Sequence, residues 1–227
     1  MSFANRVSGV KPIQFLAHQV VTVALDLLFP VHCVGCERVG SFLCDRCMQT
    51  VSPAPPRHIG GLDAVRAAVN FDGAASRAVH AFKYEGQVDL AACLGTWVCE
   101  TLADIPWHVD CVTAVPLHPL RMEQRGYNQA ALIAQVVAAH FDWEYCHDAV
   151  SRTRETPSQV NLNAQERKVN VAGAFAAQAD DVTGRRVLLI DDVLTTGATL
   201  GACAYALRDA GAVQVYGATV ASAVFSV

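Results

Sequence analysis

The chain has 227 residues, 52% of them hydrophobic and 17% charged, with a formal net charge of −4 and a mean hydropathy of +0.27. That composition excludes intrinsic disorder, and the length suits one full domain plus a small accessory unit. With no net positive field, anion binding must come from individually placed arginines and backbone amides.

At the N-terminus, Ile13, Leu16, Val20, Ala24 and Leu27 recur at helical spacing and predict an amphipathic helix over 12–29, stopped by Pro30. His18 and Asp26 interrupt its apolar run, which therefore falls short of the ~20 uncharged apolar residues of a transmembrane helix. No small-residue cleavage site follows, so the chain reads as cytoplasmic.

Next come Cys33, Cys36, Cys44 and Cys47, spaced C-x2-C-x7-C-x2-C. Two such turns aim four thiolates at one point, the tetrahedral sulfur set that structural zinc takes. Two redox pairs, or a disulfide cluster, are the alternatives; the missing signal sequence argues against the second. His32 is a substitute ligand in the same segment. Cys93, Cys99, Cys111, Cys146 and Cys203 stand singly in apolar surroundings and read as small buried hydrophobes.

The proline-rich stretch 52–56 reads as a linker between an N-terminal unit, 1–51, and a larger domain, 57–227. Beyond it the pattern predicts a strand at 65–71, helices at 74–84 and 88–102, a short buried strand at 111–115 and a helix at 129–141. The polar segment 151–170 predicts a mobile loop with a short helix near 163–168. A fully apolar strand at 187–190, a helix at 199–210 and a strand at 213–220 complete the chain. Strands alternating with helices predict an α/β fold with a mainly parallel sheet.

The chemistry concentrates after the strand at 187–190. Asp191 and Asp192 sit together at its carboxyl end, followed by Thr195, Thr196, Gly197, Ala198 and Thr199, which lead into a helix. A helix N-terminus behind a glycine-containing loop favours an anion, and hydroxyls add donors. Adjacent carboxylates suit the vicinal hydroxyls of a sugar, so the set fits a sugar phosphate. Neither G-x-x-x-x-G-K-[ST] nor G-x-G-x-x-G occurs, so nucleoside triphosphatase and dinucleotide readings lose their main support.

This stretch resembles the phosphoribosyl pyrophosphate motif of type I phosphoribosyltransferases. The resemblance implies that Asp191 and Asp192 face the ribose 2′- and 3′-hydroxyls and that residues 195–199 wrap the 5′-phosphate. It places Arg121 and Arg125 where the family has its pyrophosphate loop, and arginine forks suit a diphosphate. Lys83 is a further phosphate contact. Arg154, Gln159 and Arg167 fall in a segment similar to the family's flexible loop over the active site. The chain begins Met1-Ser2 and lacks the N-terminal nucleophilic cysteine of the glutamine-hydrolysing relatives.

The whole layout resembles the ComF family of bacterial competence proteins. The matching pieces are the Leu27-Leu28-Phe29-Pro30 run before the four-cysteine ribbon, Lys83-Tyr84, Pro116 with the run Arg125-Gly126-Tyr127-Asn128-Gln129, Ser158-Gln159, Arg167 with Asn170, and the loop from Asp191 to Thr199. The resemblance implies a type I phosphoribosyltransferase-like domain behind a small N-terminal helix and zinc ribbon, structural Zn, and Mg²⁺ bound with phosphoribosyl pyrophosphate. It also implies a role around natural transformation, with single-stranded DNA and the competence machinery as partners. Three readings follow: a phosphoribosyltransferase with an unspecified acceptor, a single-stranded DNA accessory factor stacking bases on Tyr84, Tyr127 and Trp143, or a sugar-phosphate-sensing scaffold without turnover.

Overall fold

The computed structural model describes residues 30–153 and 173–223. The helix expected at 12–29 and three residues of the expected flexible loop, Arg154, Gln159 and Arg167, lie outside the described residues.

In chain order the elements are α1 (Asp45–Met48), β1 (Ala64–Asn70), α2 (Gly73–Tyr84), α3 (Leu90–Leu102), β2 (Cys111–Ala114), α4 (Pro119–Arg125), α5 (Gln129–Phe141) and β3 (Glu144–Tyr145). They continue with β4 (Val150–Arg152), β5 (Phe175–Ala177), α6 (Ala179–Val182), β6 (Arg186–Leu194), α7 (Ala198–Asp209) and β7 (Gln214–Ser222). Five strands form one sheet in the order β1-β7-β6-β2-β3, every pair parallel. β4 and β5 form a separate antiparallel pair.

The apolar run of β6 explains its central place. Successive side chains of a strand point to opposite faces. Leu188 and Ile190 therefore enter a core built with α2, α3 and α5, whereas Val187 and Leu189 enter a second core with α7 and the β4–β5 pair. All four are 0% exposed, and each such burial contributes about 1.5–3 kcal/mol. Helices thus cover both faces, as a parallel sheet requires. The four-cysteine ribbon adds Cys33, Leu43, Cys44 and Cys47 to the first of these cores.

Several sequence expectations change here. The stretch read as a linker instead pairs with the sheet: Pro53 and Arg57 bridge antiparallel to Val69 and Val65, and the Ala54 N–H donates to the Ala68 carbonyl at 3.2 Å. Prolines are tolerated in such a strip because it covers the outer edge of β1. β6 runs past the acid pair to Leu194, since Asp191 and Val193 keep their register with Thr219 and Ala221 of β7. Ser151 and Arg152, expected in a loop, pair with Ala176 and Phe175. Cys111 and Cys146 are not single: they are joined as a disulfide with Cα atoms 6.0 Å apart. The register that sets Val112 opposite Tyr145 of β3 brings Cys146, the next residue, alongside β2.

Candidate functional site

In a parallel sheet the carboxyl ends of all strands share one edge, where open α/β folds bind ligands. Here that edge opens into a cavity of about 860 Å³. Phe71 follows β1, Val115 follows β2, and Asp191, Asp192 and Thr195 belong to or follow β6; all five line it. Lys83 from α2, Arg121 and Arg125 from α4, and Thr199 from α7 line it as well. One cavity therefore collects the acid pair, the three expected cations and two of the expected threonines.

Lys83 Nζ lies 2.8 Å from Asp192 Oδ1, and both side chains are mostly buried. Asp191 Oδ1 accepts from the Asp192 N–H at 2.8 Å. Burial pushes the Asp191 carboxyl up to about 7 and the Asp192 charge adds to it, opposed by the Asp192 N–H, Lys83 and Arg121. The two adjacent carboxyls therefore differ in environment. One is held by a lysine, and the other is poised near neutrality.

The expected pyrophosphate segment is a short helix, α4, rather than a loop. His118 caps it, its Nδ1 accepting from the Leu120 N–H at 3.2 Å, and Pro119 occupies the first turn. Gly126, at φ 76°, ends it. The sequence carried the signal in Pro119 and Gly126, the usual start and stop residues. Arg125 lies with its guanidinium carbon 4.9 Å from the centre of the Tyr84 ring and donates through Nη1 to Gln129 Oε1 at 2.8 Å.

The loop from Thr195 to Thr199 is shaped by Thr196, Gly197 and Ala198. Thr196 Oγ1 accepts from the Ala198 N–H at 3.3 Å. Gly197 sits at φ 76°, and a Cβ there would run into Ile59, meeting its Cγ1 at 2.9 Å. Arg57 clasps the same loop, donating to the Thr195 carbonyl at 3.1 Å and to Ser222 Oγ at 3.3 Å. Arg57 and Ile59 were missed in the sequence as parts of this site, and Gln129 was noted only as the end of the run that starts at Arg125. Arg57 and Ile59 had no local signal, because both act on residues far along the chain.

At the ribbon, the sulfurs of Cys33, Cys36, Cys44 and Cys47 lie within 4.8 Å of one another. Tetrahedral zinc with ~2.3 Å bonds sets its sulfurs ~3.8 Å apart, so this donor set fits. The Gly35 and Cys44 N–H groups point at Cys33 Sγ from 3.4 and 3.3 Å. Burial opposes ionisation of Cys33, but N–H groups of Cys44, Gly35 and Cys36 prevail and bring it down to about 6. Burial and the three neighbouring sulfurs push Cys47 up to about 12. Thiols crowded this closely cannot ionise together without a cation among them. Among the described residues no helix is long and apolar enough to cross a membrane.

Residues 128–224 match the family profile of the phosphoribosyl transferase domain. The chain is 38% identical over 112 residues to the Competence protein F of Haemophilus influenzae, covering 48% of this chain and 49% of that protein. It is 38% identical over 109 residues to the DNA utilization protein YhgH of Escherichia coli K12, covering 47% and 48%. The chain thus spans about half the length of these curated relatives. Among solved structures it is similar to the glutamine phosphoribosylpyrophosphate amidotransferase of B. subtilis complexed with ADP and GMP, at 22% identity and a TM-score of 0.41 over 68% of this chain and 29% of that one.

Proposed function

The chain belongs to the ComF family and carries a phosphoribosyltransferase domain, and from that premise we propose that its cavity binds phosphoribosyl pyrophosphate with Mg²⁺ and passes the phosphoribosyl group to an acceptor. The observation that carries this reading is the meeting of the acid pair, Lys83, Arg121, Arg125 and two loop threonines, Thr195 and Thr199, in one cavity. In this reading Asp191 and Asp192 take the ribose hydroxyls, and the loop from Thr195 to Thr199 takes the 5′-phosphate. Arg121 and Arg125 hold the diphosphate as it leaves C1 with the bonding electrons, while the acceptor bonds to C1 and gives up its proton. The carboxylates are hard oxygen donors of the kind Mg²⁺ takes; the ion would neutralise diphosphate charge. Cys33, Cys36, Cys44 and Cys47 would hold a structural zinc.

A thermal melt tests the binding. Phosphoribosyl pyrophosphate at 100 times its dissociation constant, with Mg²⁺, should raise the melting temperature by about 5–10 °C. The Asp191→Asn/Asp192→Asn variant should lose that shift. An equal shift in the double variant, or none in the wild type, would overturn the reading.

The second reading, a single-stranded DNA accessory factor acting in the competence machinery, has one observation in its favour. Of the three aromatics expected to stack bases, Tyr127 donates to the Phe82 carbonyl and Trp143 stacks on Phe141, but Tyr84 is 65% exposed beside Arg125. Oligothymidine affinity separates the two: backbone binding weakens with a log–log salt slope of about −0.7 per phosphate, whereas a flat response leaves the sugar-phosphate reading alone.

A further inference from the structure

Gln129 opens α5 directly behind its cap, Asn128. The cap is tied at both ends of its amide: Asn128 Oδ1 accepts from the Ala130 N–H at 3.0 Å, and Nδ2 donates to the Val115 carbonyl at 3.0 Å. The first turn of α5 is thereby pinned to the end of β2. Gln129 cannot swing to solvent, being 1% exposed, yet it forms part of the cavity wall.

A primary amide has one acceptor oxygen and two N–H donors. The Gln129 Oε1 is committed to Arg125 Nη1 at 2.8 Å, which decides which end of the amide faces which way. Its Nε2 is left buried without a hydrogen-bond partner. A buried donor without an acceptor is unfavourable and marks a place where something is missing. The chemistry of the missing group follows from the neighbours. Arg121 and Arg125 line the same cavity, both as cations, so the acceptor that the surroundings favour is an anionic oxygen. Phosphate oxygens supply acceptors alone and match arginine forks.

We propose that Gln129 is a ligand-binding residue of this cavity, donating through Nε2 to a diphosphate oxygen, with Arg125 fixing the direction of its amide. This rests on the phosphoribosyl pyrophosphate reading of the cavity and assigns it a further contact. Arg125 then has two tasks, since it faces the diphosphate itself and also orients the neighbouring donor.

Calorimetric titration of the full chain, with Mg²⁺ present, tests the proposal using phosphoribosyl pyrophosphate, inorganic pyrophosphate and ribose 5-phosphate. Gln129→Met, similar in length and without donors, should weaken the two diphosphates by about ten- to a hundredfold, the range of a hydrogen bond to a charged group. Ribose 5-phosphate, which has no diphosphate, should bind within about twofold of wild type. In an Arg125→Met background, Gln129→Met should cost a further loss of about tenfold. No further loss there would mean that Gln129 acts only by holding Arg125, and parallel loss of ribose 5-phosphate would mean a general structural role; either result overturns the proposal. Gln129→Leu serves as the second variant if the first does not fold. Wild type that binds pyrophosphate but not phosphoribosyl pyrophosphate rejects the parent reading while leaving Gln129 its anion. Wild type that binds neither rejects both.

Discussion

The four-cysteine ribbon and the β6–α7 unit both hold short loops in fixed shapes, and they do it by different physics. In β6 and α7, Val187, Leu188, Leu189, Ile190, Cys203 and Leu207 are all fully buried, and the strand is paired on both sides. The loop between them inherits its rigidity from a packed core. The ribbon has a four-residue helix, and three of its buried side chains are the cysteines Cys33, Cys44 and Cys47. Its interior is the sulfur cluster itself. One loop is held by burial and tolerates polar chemistry at its tip, whereas the other uses polar chemistry as its core.

The sharpest way to break the comparison is to remove one thiolate of the proposed zinc site. A structural zinc contributes an apparent ~10–16 kcal/mol of binding free energy, so Cys33→Ser should abolish stoichiometric zinc in elemental analysis and speed amide exchange across 31–48. Amides of β6 and α7 should stay protected; uniform loss of protection would show that both regions depend on the metal.

The complementary break is steric. Gly197→Val puts a branched side chain at φ 76° against Ile59 and should cost about 2–5 kcal/mol in denaturant unfolding. Adding Ile59→Ala should restore part of that loss, while zinc content stays unchanged. Without any rescue, the Ile59 contact is not what makes glycine necessary.

The smallest expected effect sharpens the picture of the acid pair. The Asp191 carboxyl lies at about 7 in the folded chain against 3.8 for an ordinary aspartate. The folded state therefore holds a proton that the unfolded state has released. The associated stability is complete below about pH 4 and is lost as pH rises through 7. Asp191→Asn should match wild type near pH 4 and become progressively more stable than wild type as pH rises through 7. Parallel stability curves for the two proteins across that range would rule out the buried-acid account.

How much of this was legible in the sequence depended on range. Helix α5 begins and ends where its apolar period does, at Gln129 and Phe141, because local spacing carries that signal. The run Asp191, Asp192, Thr195, Gly197 was legible for the same reason: its residues are neighbours in the chain. The contact from Arg57 to Thr195 spans 138 residues and that from Lys83 to Asp192 spans 109. No local pattern foretells Arg57, although Lys83 was found through its motif. The strip at 52–57 deceived because prolines mark both linkers and the outer edges of sheets. The Cys111–Cys146 pairing depends on the register of β3 beside β2, and register is a property of the assembled sheet.

The strand order has a consequence for how this protein comes into being. β1 emerges early from the ribosome, yet its partner in the sheet is β7, whose first paired residues, Tyr216 and Gly217, lie about 150 positions later. At roughly 5–20 residues per second, β1 waits on the order of ten to thirty seconds with its pairing edge unclaimed. Arg57 waits too, for Thr195 and Ser222. Nascent chains stalled before residue 214 should therefore lack the finished sheet edge, however well β2 and α5 have already formed, and the cavity is completed late, with β7.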